Sequence, residues 1–85
     1  MEPVAVIDIG TNSLRLFIGE VQGNSIITLF KDIKITRLGE GISKTNELGS
    51  TPINRTIIAL KQFQNYLTEY RVKEVRCFAT SAVRD

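Results

Sequence analysis

The chain has 85 residues and a formal net charge of +2, with 42% hydrophobic and 24% charged residues. This length allows one small domain, and so low a charge argues against nucleic acid or an anionic membrane as a partner. Because the chain has no histidine, any catalysis within it would use carboxylates, Lys, Tyr, Cys77 or a metal. The single cysteine cannot form an internal disulfide and fits a cytoplasmic location. The sequence predicts neither a bilayer-spanning run nor a signal peptide.

Three strands are predicted within the first 36 residues. Residues 4–9 are apolar except for Asp8, which is typical of a strand covered on both faces. Residues 14–21 alternate, with Leu14, Leu16 and Ile18 on one side and Arg15 and Phe17 on the other. A turn at residues 22–25 (QGNS) leads into a strand over about 26–36. The short connections predict an antiparallel meander.

A helix and a fourth strand are predicted after a loop that ends near residue 50. Thr51 and Pro52 indicate an N-cap followed by the first helical turn. Apolar residues then recur at spacings of three and four along one helical stripe, namely Ile53, Ile57, Leu60, Phe63, Leu67 and Tyr70. Residues 72–79 predict a strand that the helical crossover makes parallel to a strand of the meander. The pattern indicates an α/β fold.

The chain stops soon after Thr80 and Ser81, which would cap a second helix. Little of that helix is present, and nothing would cover the second face of the sheet. We therefore expect the sequence to be a truncated part of a longer protein.

The first candidate site is the sequence DIGTNS, at residues 8–13. Gly10 permits tight-turn dihedrals that other residues avoid. Thr11, Asn12 and Ser13 add short polar side chains to a row of backbone amides, and such a row forms an anion-binding concavity. Asp8 suits a hydrated Mg²⁺ that bridges to phosphate oxygens. The alternative is that Asp8 caps an ordinary polar turn.

Two further groups could add positive charge near that turn. Arg15 could bind a phosphate through paired hydrogen bonds, although a solvated strand arginine is the commoner case. Thr80 and Ser81 would open a helix whose N-terminus attracts anions, with Arg84 about one turn further on. A plain helix cap with a surface arginine is the alternative. If the first and fourth strands are parallel neighbours, both loops leave the same sheet edge, where open α/β folds bind ligands.

The loop RLGEG, at residues 37–41, carries a weaker indication. Its two glycines indicate flexibility, and no catalytic role is assigned to Glu40. Arg37, at the start of the loop, could approach a polyanionic ligand from the rim of the site.

The segment AVIDIGTNSLRLFIGEV resembles the opening of the Ppx/GppA family of exopolyphosphatases and guanosine pentaphosphate phosphohydrolases. The segments RLGEGI, INRTIIALKQF, YRVKEVR and ATSAVRD are similar to later family signatures, in the same order. The resemblance covers essentially the whole chain. It implies the N-terminal half of an actin-like, ribonuclease H-like domain: an antiparallel meander, a helix, a parallel fourth strand and the start of a second helix. Residues 1–85 would then form a partial N-terminal domain, with the second domain absent.

The resemblance implies Mg²⁺-dependent hydrolysis of a terminal phosphoanhydride in inorganic polyphosphate or guanosine pentaphosphate. By position it assigns Asp8 to the metal, and it assigns the following residues to phosphate: Gly10, Thr11, Asn12, Ser13, Arg15, Thr80, Ser81 and Arg84. Family members usually have Ser at the position of Thr11, so a hydroxyl is kept. The family's catalytic glutamate and its second glycine-rich loop lie beyond residue 85. We expect the full-length protein to be a cytoplasmic homodimer and the 85-residue chain to be inactive.

Two other functions stay open at this point. A similar first loop occurs in sugar and small-molecule kinases of the actin-like ATPase superfamily. A non-catalytic structural fragment is the second alternative, because the expected general base is missing. We also predict that the exposed sheet face and edge make the isolated chain associate or require a partner.

Overall fold

The computed structural model describes residues 2–38 and 50–79. These residues form a four-stranded mixed sheet and one helix: β1 (Pro3–Ile9), β2 (Ser13–Gln22), β3 (Ser25–Ile35), α1 (Ser50–Glu69) and β4 (Glu74–Ala79). The strand order is β3-β2-β1-β4, with β4 parallel to β1 and the other pairs antiparallel. The predicted α/β fold, with its meander, crossover helix and parallel fourth strand, is confirmed. The predicted start of a second helix lies outside the described residues.

The hairpin between β2 and β3 has a two-residue connection. Gln22 and Ser25 are register partners, and Gly23 between them has a φ of 62°. A left-handed first residue followed by Asn24, whose φ is not positive, has the sign pattern of a type II′ turn, which suits the twist of hairpins. The predicted turn at residues 22–25 is therefore confirmed, with its left-handed residue at Gly23.

Helix α1 packs on one face of the meander and forms the core with it. The buried side chains of this core alternate along β1 and β2, as the sequence predicts, and join two helix residues: Ala5, Ile7, Leu14, Leu16, Ile18, Ala59 and Phe63. The opposite sheet face carries Val4 and Val6, which are only half-buried. The expectation that β1 is covered on both faces is thus not met by the described residues, because α1 covers a single face.

The buried face of α1 differs from the predicted stripe in its N-terminal half. Ile53 and Ile57 are 36% and 43% exposed, whereas Pro52, Thr56, Ala59 and Phe63 are buried. Small residues at positions 56 and 59 let the helix approach the sheet closely, and the Thr56 hydroxyl donates to the Pro52 carbonyl at 3.0 Å. The helix also begins at Ser50, one residue before the predicted cap. No helix in the described ranges is long and apolar enough to span a membrane.

The C-terminal half of α1 follows the predicted stripe and ends in a Schellman motif. Leu60, Leu67 and Tyr70 pack against the core. Arg71 has a φ of 59°, and its amide donates to the Thr68 carbonyl at 3.1 Å. The Val72 amide reaches the Leu67 carbonyl at 2.9 Å, which completes the motif. Val72 therefore belongs to the helix cap, and β4 begins two residues later than predicted.

Candidate functional site

The carboxyl ends of β1 and β4 lie side by side at one edge of the sheet. Ile9 is the register partner of Ala79 in β4 and of Leu14 in β2. Residues 10–13 form the turn that joins β1 to β2. This turn and the chain after Ala79 therefore leave the sheet at the same edge, as expected for parallel neighbours. Thr80, Ser81 and Arg84 lie outside the described residues, so their convergence on the turn stays a prediction.

The turn between β1 and β2 is held by backbone hydrogen bonds. The Gly10 amide donates to the Ser13 carbonyl at 2.9 Å, and the Asn12 carbonyl accepts from the amides of Thr36 and Arg37 at 3.1 Å each. Gly10 does not have a positive φ, so the turn does not use its left-handed freedom. Arg37 does lie in the left-handed region, with a φ of 49°. The turn between β1 and β2 is thus hydrogen-bonded, through Asn12, to residues 36 and 37, which follow β3.

Asp8 and Arg15 face each other across β1 and β2. They are register partners on the sheet face opposite α1, where Asp8 is half-buried and Arg15 is exposed. The carboxylate therefore keeps part of its hydration, which removes much of the cost of burying a charge. Within residues 2–38 and 50–79, ion pairs form at other carboxylates, namely Asp32, Glu2 and Glu74. Asp8 presents its charge to solvent beside the turn between β1 and β2.

A concave depression of about 600 Å³ begins at this pair and extends over the open sheet face. It is lined by apolar and charged residues: Val6, Asp8, Arg15, Leu16, Phe17, Lys31, Asp32 and Ile33. Lys31 is the register partner of Phe17 and adds a second cation to the face that carries Arg15. Sequence reasoning missed Lys31 because its face depends on the pairing of β2 with β3, which is set by a register shift at Ile18/Gly19.

Asp8 is the carboxylate beside the turn that could take part in holding a partly hydrated divalent cation. Within the described ranges, no group of three or more His, Cys, Asp or Glu side chains could enclose a metal. Mg²⁺ is often held in proteins by one or two carboxylates, with waters and substrate phosphates completing its octahedron. A single accessible carboxylate, Asp8, is therefore compatible with an ion that bridges to phosphate.

Arg55 of α1 is a second residue that sequence reasoning missed. Its Nε donates to the Thr36 carbonyl at 2.7 Å and its Nη2 donates to the Arg37 carbonyl at 3.3 Å. These are the residues whose amides hold Asn12. A helix arginine beside an apolar stripe gives no sequence signal for such a contact, because a solvated arginine produces the same pattern.

Comparison with known proteins identifies relatives along nearly the whole chain. A model of the Ppx/GppA phosphatase family matches residues 17–85. A bifunctional 3-dehydroquinate synthase/phosphatase from Fusobacterium nucleatum is 44% identical over 95% of this chain and 13% of its own length. Exopolyphosphatase 2 from Mycobacterium tuberculosis is 38% identical over 96% of this chain and 27% of its own length. The chain thus spans about a quarter or less of these curated relatives.

Solved structures agree with the observed fold. The crystal structure of an Aquifex aeolicus member of the Ppx/GppA family superimposes with a TM-score of 0.92 and 34% identity, over 98% of this chain and 27% of that one. An exopolyphosphatase from Cytophaga hutchinsonii gives a TM-score of 0.92 at 33% identity, over 98% of this chain and 27% of its own. The arrangement of β1 to β4 and α1 therefore matches the corresponding part of these two structures.

Proposed function

We propose that this chain, which belongs to the Ppx/GppA phosphatase family, supplies part of the phosphate site of a hydrolase that acts on phosphoanhydrides. The substrate of the parent protein would be inorganic polyphosphate or guanosine pentaphosphate, with release of the terminal phosphate. Relatives named exopolyphosphatase and guanosine-5′-triphosphate,3′-diphosphate pyrophosphatase support both substrates.

The observation that carries the proposal is the parallel pairing of β1 with β4. It brings the ends of both strands, Ile9 and Ala79, to one edge. In open α/β sheets this edge, at the carboxyl ends of the strands, is where ligands bind. The turn at residues 10–13 leaves from this edge, and β4 ends there at Ala79. The arrangement supports a single pocket built from two loops.

Each group at that pocket has a distinct proposed role. Asp8 would hold Mg²⁺, which when bound supplies positive charge to phosphate oxygens. The backbone and the polar side chains of residues 10–13 would bind the phosphate, and Arg15 would neutralise part of its charge. Phosphoryl transfer depends mainly on positioning and on charge stabilisation. The chain would thus contribute substrate binding, while the activation of water would come from residues outside it.

The test is phosphate release by the purified parent protein with Mg²⁺ present. Separate reactions contain long-chain polyphosphate, guanosine pentaphosphate, or ATP with a panel of sugars. We expect release from one or both of the first two substrates. We also expect the Asp8→Asn variant to be slower by about a hundredfold, the loss typical of removing one electrostatic contact to a transition state.

The matched control is Glu69→Gln, which removes a carboxylate at the exposed C-terminal end of α1. It should retain wild-type rates. Absence of phosphate release from both anhydrides would contradict the proposal, and sugar-dependent consumption of ATP would favour a kinase instead. Equal rates for the wild type and Asp8→Asn would contradict the role given to that carboxylate.

A further inference from the structure

We propose that Arg55 of α1 is a positioning residue for the turn at residues 10–13. The inference rests on the phosphate-binding role proposed above for that turn. Arg55 binds the two residues that follow β3, and the same two residues bind the turn. It would act on the phosphate site through Thr36 and Arg37.

The Arg55 guanidinium contacts two successive backbone carbonyls. The bond from Arg55 Nε to the Thr36 oxygen is 2.7 Å long and partly buried, and the bond from Nη2 to the Arg37 oxygen is 3.3 Å long and exposed. The shorter bond has the length of a charge-assisted hydrogen bond. A planar guanidinium carries several donors in a fixed fork, so one side chain can hold both carbonyls, whereas a lysine ammonium offers a point charge.

The two residues that Arg55 binds are themselves hydrogen-bonded to the turn. The amides of Thr36 and Arg37 both donate to the carbonyl oxygen of Asn12, at 3.1 Å. One carbonyl oxygen has two lone pairs and can accept both bonds. Residues 36 and 37 therefore present carbonyls to the helix and amides to the turn. Thr36 is 2% exposed, which leaves this connection little freedom to shift.

The backbone of Arg37 shows that the connection is under constraint. Its φ of 49° lies in the left-handed region, which side chains other than glycine rarely adopt. Such a conformation persists where the surroundings determine it on several sides. Here the Arg37 amide is fixed by Asn12 and its carbonyl by Arg55. Loss of the guanidinium would let residue 37 relax and would release the turn.

The test compares Arg55→Lys and Arg55→Met in the complete parent protein. Lysine keeps the charge without the fork, and methionine keeps only the stem. Arg71→Lys is the matched control, because Arg71 follows the other end of the same helix. Hydrogen exchange measured by mass spectrometry reports on residues 10–13 and 36–38, and peptides from β1 report on the core. Steady-state kinetics give KM and kcat for whichever of the two proposed substrates, polyphosphate or guanosine pentaphosphate, the wild-type protein hydrolyses.

We expect both Arg55 variants to exchange about tenfold faster at residues 10–13 and 36–38, with β1 unchanged, since one charge-assisted bond has this magnitude. KM should rise by about the same factor, with a smaller change in kcat. If Arg55→Lys does not restore the wild-type exchange rates, the forked geometry of the guanidinium, and not its charge alone, holds the turn. Unchanged exchange at the turn, an unchanged KM, or equal acceleration throughout β1 would overturn the inference. A wild-type protein that releases phosphate from neither polyphosphate nor guanosine pentaphosphate would contradict the proposed function instead, and exchange at residues 10–13 would still decide the role of Arg55.

Discussion

Asp8 and Arg15 lie directly opposite each other on β1 and β2, on the sheet face that α1 leaves open. Each is close in sequence to the turn at residues 10–13, which joins the two strands. A carboxylate suits a metal ion and a guanidinium suits a phosphate, so the pair offers complementary charges to a metal-bound polyanion. The two residues should therefore affect different kinetic parameters.

Replacing Arg15 with glutamine should weaken the binding of polyphosphate. We expect KM in the parent protein to rise about tenfold, the usual size of one lost charge-assisted contact, with less effect on kcat. The rise should shrink at high salt, because salt screens an exposed charge. Initial rates measured at low and high ionic strength provide the check.

The control for that variant is Arg76→Gln. Arg76 lies on the same sheet face, in register with Val6, and pairs with Glu74 at 3.5 Å. Its removal should leave KM near the wild-type value. Similar losses in the two variants would show that the general charge of this face matters, and that Arg15 has no special position.

Adding a methyl group at Gly19 should destabilise the hairpin. A Cβ there would lie 2.7 Å from Cε1 of the Phe17 ring and 3.2 Å from Cγ2 of Ile26. Because the ring must move, we expect Gly19→Ala to lower the free energy of unfolding by about 1–2 kcal/mol, within the range for overpacking. Urea unfolding of the parent protein measures the change.

A second substitution tests the cause of that loss. In a Phe17→Leu background the nearest contact is removed, so Gly19→Ala should cost less than in the wild type. The difference between the two costs is the coupling energy of the pair. If the cost is the same in both backgrounds, the Phe17 ring is not its origin.

Glycine at position 71 should stabilise the end of α1. Arg71 occupies the left-handed position of the Schellman motif, where a side chain costs about 1–2 kcal/mol and glycine is the usual residue. After allowing for the entropy that glycine loses on folding, we expect Arg71→Gly to raise the free energy of unfolding by about 0.5–1 kcal/mol. Thermal unfolding is the measurement, and Lys73→Gly is the matched change outside the motif; it should be neutral or unfavourable.

The isolated 85-residue chain should show no turnover with polyphosphate or guanosine pentaphosphate. The proposed site contains charge and donors but no assigned base for the attacking water. Phosphate release by the purified chain at different enzyme concentrations is the measurement. A rate that scales with chain concentration and disappears in the Asp8→Asn variant would contradict this prediction.

The isolated chain should also associate in solution. Its open sheet face includes Ile33 at 56% and Phe78 at 57% exposure, and such apolar patches favour association. Analytical ultracentrifugation of the wild type and of Ile33→Glu is the check, with a charge at the exposed helix position Ile58 as the control. A monodisperse wild-type monomer that unfolds cooperatively would be the opposite result.

Much of the fold follows from local patterns in the sequence. Alternation identified the buried side of β2, and Gly23 with Asn24 identified the hairpin, because both depend on neighbouring residues alone. The predicted buried stripe is wrong for the N-terminal half of α1. Ile53 and Ile57 are more hydrophobic than Thr56 and Ala59. Thr56 and Ala59 nevertheless face the sheet, because the helix packs close to the sheet and small side chains fit between them.

The sequence alone suggests candidate site residues in two segments, 8–15 and 80–84, and their roles stay predictions. Residues 8–15 could be interpreted together because one turn joins them. Lys31 and Arg55 reach the same region through strand register and through helix packing, and neither relationship has a local signature. The left-handed backbone of Arg37 was invisible for the same reason, since its hydrogen-bond partners come from Asn12 and from α1.

The pairing of β4 with β1 has a consequence for the order of folding. Val4 and Glu74 are partners although they lie near opposite ends of the chain, whereas Gln22 and Ser25 are joined by a two-residue turn. Closing the long loop costs more chain entropy than closing the hairpin, and non-local contacts slow folding. The meander should therefore assemble first and β4 should dock last. The edge at which β1 and β4 end side by side would then be the last part of the sheet to form.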